Sequence, residues 1–220
     1  RMYAKARDIE EYLRTNPEKP YISCEYMHAM GNSCGGFMKY TELEDRYEKY
    51  QGGFIWDYID QAVKVKRDGK EVLYYGGDFM ERPTDYNFCG NGIVFADRTV
   101  TPKAQEIKYL YQNVEIKLTE RGCLIRNKSL FDNLSNYKFI YSIKEEENML
   151  QLGQFEIVCE PGEIKEVEIP WEKSERTYTK NISMVLKKNE LWASAGFEIA
   201  YGQETIERKE KIEKDENEIK

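Results

Sequence analysis

The sequence predicts two structural classes in one chain: an α/β segment built on parallel strands, then an all-β, immunoglobulin-like sandwich. Three observations carry this. Up to about residue 113, helical stretches alternate with short apolar runs, and continuous apolar runs suit parallel strands buried on both faces. Two of those runs flank an amphipathic stretch at the spacing of a βαβ unit. From Val114 onward about seven strand-like segments follow one another, separated by turn signals, as in a sandwich of ~100 residues.

Ala4–Thr15 predicts a helix, with Ile9, Tyr12 and Leu13 on one face and Asn16-Pro17 as its stop. Pro20–Cys24 is a short buried strand. Gly31-Asn32-Ser33 is a turn, and Ser33 is expected to cap a helix over Gly35–Tyr50, where Phe37, Tyr40, Leu43 and Tyr47 keep helical spacing. Gly52-Gly53 is expected to end that helix, leaving Phe54–Ile59 as the second strand. Residues 64–100 read as mostly loop, a length that is unusual in a compact domain unless the loop is functional. Thr101-Pro102 opens a helix to about Asn113, with proline at the first helical position.

The strands expected after that are Val114–Thr119, Cys123–Lys128, Tyr137–Lys144, Met149–Val158, Ile164–Ile169, Asn181–Lys187 and Trp192–Gly202. The Cys…Trp…Cys pattern of antibody domains is absent, so the expectation is the sandwich architecture alone. Residues 1–113 and 114–203 are thus expected as two domains. Residues 204–220 mix both charge signs with isolated isoleucines and read as a charged tail or linker.

Composition narrows the function. The 220 residues carry a net charge of −7 without clustered Lys and Arg, which argues against nucleic acid as a partner. No apolar run approaches the ~20 residues that span a bilayer, so no membrane partner is expected. The five cysteines, at 24, 34, 89, 123 and 159, include no CxxC pair. Neither a zinc site nor a disulfide framework is indicated, and reduced thiols in a cytoplasmic protein are the simplest reading. The chain opens at Arg1 rather than Met, and is expected to be a piece of something longer.

The densest segment chemically is Tyr21–Ser33. Glu25 stands directly after a buried strand, and in parallel α/β architectures the strand C-termini carry the site. His28, the single histidine, lies three residues on. By spacing alone a Glu–His pair is more often structural: an ion-paired carboxylate and a satisfied core histidine. Trp56 and Asp57 sit at the matching end of the second strand. A tryptophan there presents a flat apolar face to the C–H face of a sugar ring, or fills a core. Asn87–Gly92 offers amide side chains and bare backbone that could line a pocket, hold a cation through oxygens, or form a plain turn.

Several segments together resemble glycoside hydrolase family 2 β-galactosidases. CEYMHAMGNS (24–33) looks like the family's nucleophile signature. QGGFIWDYIDQ (51–61), YGGDF (75–79) and NFCGNGIVFADRTVTP (87–102) follow in the family's order, and RMYA (1–4) precedes in the right place. The resemblance covers residues 1 to about 113. It implies that this part is the C-terminal portion of a (β/α)₈ barrel, and the small sandwich occupies the place such a domain has after the family's barrel.

By that resemblance Glu25 matches the catalytic nucleophile, Tyr3 the tyrosine that hydrogen-bonds it, and His28 a histidine that contacts the galactosyl group. Trp56 matches the tryptophan that packs on galactose. Phe88, through its backbone oxygen, and Asn91 match two ligands of a sodium ion that holds a sugar hydroxyl. The resemblance also implies magnesium in the intact enzyme, with ligands outside this chain, no organic cofactor, and a homo-oligomer acting on β-galactosides. Met27, Tyr58 and Gly90 depart from the family's pattern without removing a matched catalytic group. The acid/base glutamate, which follows an asparagine upstream of the nucleophile in the family, has no counterpart in residues 1–24. Asn189-Glu190 falls in the wrong order. The chain alone is therefore expected to be inactive and to need the remainder of the enzyme chain. The competing reading is a carbohydrate-binding or spacer module based on the sandwich.

Overall fold

The computed structural model describes residues 1–208. It forms two compact units, one from Arg1 to Tyr111 and one that begins at Gln112. The first matches a partial barrel of parallel strands and helices; the second is a β-sandwich.

In the first unit, α1 (Ala6–Arg14) buries Ile9 and Leu13, one helical turn apart, against Leu43 of α2 (Met38–Arg46) and Tyr50. The parallel strands β1 (Tyr21–Tyr26) and β2 (Tyr50–Ile55) flank α2, which completes the expected strand–helix–strand order. Two details differ from expectation. α2 begins only at Met38, with Phe37 at the cap position and no side-chain cap, while Ser33 lies four residues earlier and donates its hydroxyl to the His28 carbonyl at 2.5 Å. Gly52 and Gly53 lie inside β2 rather than before it. A Cβ at Gly53 would stand 2.6 Å from Ser23 Cβ, so glycine is there to let the two strands approach.

Residues 64–100 are mostly loop and include a hairpin near their start. The antiparallel hairpin β3 (Val63–Arg67) and β4 (Lys70–Tyr74) turns at Asp68 and Gly69, with φ of 50° and 75°. Two successive positive φ values make this the hairpin turn that Asp-Gly favours. A single 3₁₀ turn covers Tyr86–Cys89, and α3 (Pro102–Leu110) follows with proline near its start.

Among the described residues the second unit has seven strands: β5 (Val114–Leu118), β6 (Gly122–Asn127), β7 (Tyr137–Glu145), β8 (Asn148–Phe155), β9 (Ile164–Glu168), β10 (Tyr178–Leu186) and β11 (Glu198–Ile206). They form two antiparallel sheets, ordered β5-β6-β9 and β11-β10-β7-β8. Inward-facing residues of both sheets meet in one core that includes Ile116, Ile125, Phe139, Ile182 and Ala200. The expected tail from residue 204 is corrected: Glu204–Ile206 pair with Tyr178–Lys180 as the end of β11. Residues 209–220 of that tail lie outside the described residues. Among the described residues no helix is long and apolar enough to cross a membrane.

Candidate active site

The site residues expected from the sequence lie on adjacent parallel stretches. Met2 bridges Glu25 in parallel, β1 pairs β2 in parallel, and Ile59 bridges Val94 in parallel. Trp56 N–H donates to the Tyr26 carbonyl at 3.4 Å, and Asp57 N–H to the Asn91 carbonyl at 2.7 Å. Hence Tyr3, Glu25, Trp56 and Asn91 occupy successive staves, each toward the C-terminal end.

A bulge aims Glu25. Strict alternation would put Ser23 and Glu25 on one face of β1. Between the pairs Ser23↔Gly53 and Tyr26↔Ile55, β1 advances one residue more than β2. The extra residue gives the buried face to Tyr26, whose ring packs edge-on against Phe37 and Tyr40 and whose hydroxyl shares a 2.9 Å hydrogen bond with that of Tyr111. Glu25 is released from that face, as bulges near active sites commonly do.

The Tyr3 hydroxyl donates to Glu25 Oε2 at 2.7 Å. Partial burial, that hydrogen bond and the carboxylate's charge all push the Tyr3 phenol upward, so it stays protonated and remains a donor. The His28 ring meets Tyr3 edge-on at 5.9 Å and lies 6.5 Å from the Phe88 ring. Trp56 is 37% exposed. Asp57 and Asp60 have structural work: Asp57 accepts from Tyr58 N–H at 2.6 Å and Gln61 Nε2 at 3.1 Å, and Asp60 accepts from Gly92 N–H at 2.6 Å.

Asn91 is 2% exposed, and its Nδ2 donates to the Phe88 carbonyl at 2.6 Å. Its Oδ1 is buried without a partner. A buried amide oxygen left unpaired costs roughly 1–3 kcal/mol. Nδ2 and not Oδ1 faces the Phe88 carbonyl, so the pair offers two oxygens to a hard cation such as sodium only with the amide turned over. Among the described residues no cluster of three His, Cys, Asp or Glu side chains could hold a metal ion.

The comparisons with known proteins give the family. The family described as glycosyl hydrolases family 2, TIM barrel domain, matches residues 1–116. This chain belongs to glycoside hydrolase family 2. A second match, beta-galactosidase domain 4, covers residues 123–207 of this family 2 chain. A beta-galactosidase of Clostridium acetobutylicum is 53% identical over all of this chain, which covers 25% of that protein. One from Halalkalibacterium halodurans is 50% identical over 99% of the chain, which covers 22% of it. The beta-galactosidase large subunit of Leuconostoc lactis is 58% identical over 50% of this chain and 18% of its own length. The chain thus spans about a quarter of the length of the first two relatives and corresponds to a partial region of them.

The sequence reading missed the contacts that hold the loop after β1. Cys34 Sγ donates to the Met27 carbonyl at 3.3 Å, and Ala29 N–H to the Trp56 carbonyl at 2.7 Å. Lys103 Nζ donates to the Ala29 and Gly31 carbonyls. One signal was visible for Lys103: a cation in the first turn of a helix, where the dipole disfavours it.

Proposed function

We propose that this chain supplies the nucleophile of a retaining β-galactosidase. The observation that carries the reading is the Tyr3–Glu25 hydrogen bond, made across adjacent staves of a family 2 barrel segment. A donor aimed at a carboxylate favours its charged, nucleophilic form.

In the reaction Glu25 bonds to the anomeric carbon of a β-galactoside while the bond to the aglycone oxygen breaks. That oxygen takes a proton from an acid/base carboxyl ~5–5.5 Å away, contributed by the rest of the polypeptide. Water then attacks the same carbon, frees Glu25 and returns the proton. His28 contacts the galactosyl group, and Trp56 packs on the ring's C–H face. With its amide turned over, Asn91 would offer Oδ1 beside the Phe88 carbonyl to hold sodium, which would supply positive charge to orient a sugar hydroxyl. Magnesium ligands lie outside this chain. The intact enzyme is read as a cytoplasmic homo-oligomer.

We also read the sandwich as immunoglobulin-like, supported by seven strands in two sheets of three and four. It departs from the constant-type arrangement because β8, the fourth strand, joins the sheet of β7, β10 and β11.

One carboxylate cannot serve both roles, so the isolated chain should not turn over a nitrophenyl β-galactoside. The longer polypeptide should, and Glu25→Gln should abolish its turnover. Turnover by the isolated chain that is lost on Glu25→Gln would overturn the need for a second part. An active Glu25→Gln enzyme would overturn the nucleophile.

A further inference from the structure

Lys103 stands in the first turn of α3, after Thr101 and Pro102. That end of a helix carries the positive pole of the dipole and favours anions. The side chain does not stay on the helix surface. Its Nζ donates to the Ala29 carbonyl in a short contact and to the Gly31 carbonyl at 3.3 Å. An ammonium with several donors on a long apolar stem suits two loop carbonyls that no strand or helix serves.

Ala29 is fully buried and follows His28 directly. Its N–H donates to the Trp56 carbonyl at 2.7 Å, while its carbonyl takes Lys103. One residue is therefore gripped from the stave of Trp56 on one side and from α3 on the other. The start of α3 is itself fixed: Thr101 Oγ1 donates to the Ile93 carbonyl at 2.5 Å, two residues beyond Asn91. Ala104 and Ile107 pack against the buried group of Ala29, Cys34 and Ile93. Lys103 is thus the polar link by which α3, anchored next to Asn91, holds the loop that carries His28.

We infer that Lys103 is a positioning residue for the sugar-contacting pair His28 and Trp56, acting by locking Ala29 between α3 and the stave of Trp56. The inference rests on the proposed function for what His28 and Trp56 contact, and on the hydrogen bonds alone for what Lys103 holds.

His28 is the only histidine, so its imidazole gives one set of NMR signals in the histidine-labelled chain. Lys103→Met keeps the apolar stem and removes the donors. The expected result is displaced, broadened His28 signals and Ala29 amide exchange about tenfold faster, as loss of a charge-assisted hydrogen bond implies. Lys103→Arg restores donors and should return the His28 signals toward those of the parent chain. Should Lys103→Met fail to fold, Lys103→Gln serves, its shorter arm unable to reach both carbonyls. His28 signals and Ala29 exchange unchanged in a folded Met or Gln variant would overturn the inference. No substrate enters the measurement. A chain that binds no galactoside therefore leaves this result standing, and unchanged His28 signals leave the nucleophile reading standing.

Discussion

Tyr3 holds Glu25 at both ends: its amide donates to the Glu25 carbonyl at 2.8 Å and its hydroxyl to Oε2 at 2.7 Å. The backbone bond fixes the stave, and the hydroxyl bond fixes the carboxylate. Removing the hydroxyl alone separates the two effects. In the longer polypeptide, Tyr3→Phe should lower kcat for a nitrophenyl galactoside by about 10- to 100-fold, the worth of one hydrogen bond to a charged group. KM should change little. A kcat within a factor of two of the parent would mean that the hydroxyl bond has no part in catalysis.

The same contact has a pH signature. The Tyr3 phenol is raised, by partial burial first and then by Glu25. Its hydrogen bond is fully present below the ordinary tyrosine value of about 10 and is lost only as pH rises through the raised one. Followed by phenolate absorbance, Tyr3→Phe should remove amplitude from the alkaline end of the titration and leave the part near the ordinary value unchanged. Loss of amplitude near the ordinary value would show an unperturbed phenol.

Gly92 should tolerate no side chain. A Cβ there would lie 2.2 Å from Asp60 N, 2.3 Å from the Val94 carbonyl oxygen and 2.6 Å from Ile59 C, all backbone atoms. Nothing flexible can yield, so Gly92→Ala must part the two staves. Overpacking typically costs about 1–3 kcal/mol, and rigid surroundings place this site at the upper end. Urea unfolding should give that loss, with faster amide exchange at Asp57, whose N–H donates to Asn91. An unfolding midpoint equal to that of the parent would refute the close approach.

These particulars show what the sequence could and could not reveal. Ile9 and Leu13 announce α1 by local spacing, and the strand count of the sandwich follows from local alternation. The hairpin at Val63–Tyr74 was equally local, since Asp68-Gly69 is a hairpin signal. Its strands are mostly exposed and carry lysines, so no apolar face marks them in the sequence. Gly52-Gly53 misled for the opposite reason. Glycine often ends helices, but Gly53 is set by Ser23 on a neighbouring strand, a tertiary fact. In the site, the segments were legible through family resemblance, whereas the bulge that turns Glu25 and the Lys103 link depend on register and distance.

The cysteines should sort by burial. Cys24 is exposed and Cys89 partly so, while Cys34, Cys123 and Cys159 are buried. Burial pushes the Cys34, Cys89 and Cys159 thiols up, and that of Cys123 up to about 12. Reactivity follows the thiolate and its access. With an aromatic disulfide reagent, the native chain should release one equivalent quickly and a second slowly, with Cys34, Cys123 and Cys159 reacting only after denaturation. Three fast equivalents would contradict the packing of these cores.

Two phenylalanines in the sandwich give a matched test of its core. Phe139 is fully buried and stacks on Phe155 at 5.1 Å, while Phe131 is 93% exposed. The residue type is the same, so only burial distinguishes them. Phe139→Ala removes a ring that the inner faces of both sheets surround, and should cost about 3–5 kcal/mol. Phe131→Ala should stay within about 0.5 kcal/mol, because its ring is already in water. Trp171 reports on this core: its indole N–H donates to the Gly122 carbonyl at 3.2 Å and its ring meets Tyr141 edge-on at 5.8 Å. With Trp56 and Trp192 replaced by Phe, so that Trp171 alone emits, denaturation followed by fluorescence should therefore shift for Phe139→Ala and not for Phe131→Ala. Equal shifts would mean that the two sheets do not close on Phe139.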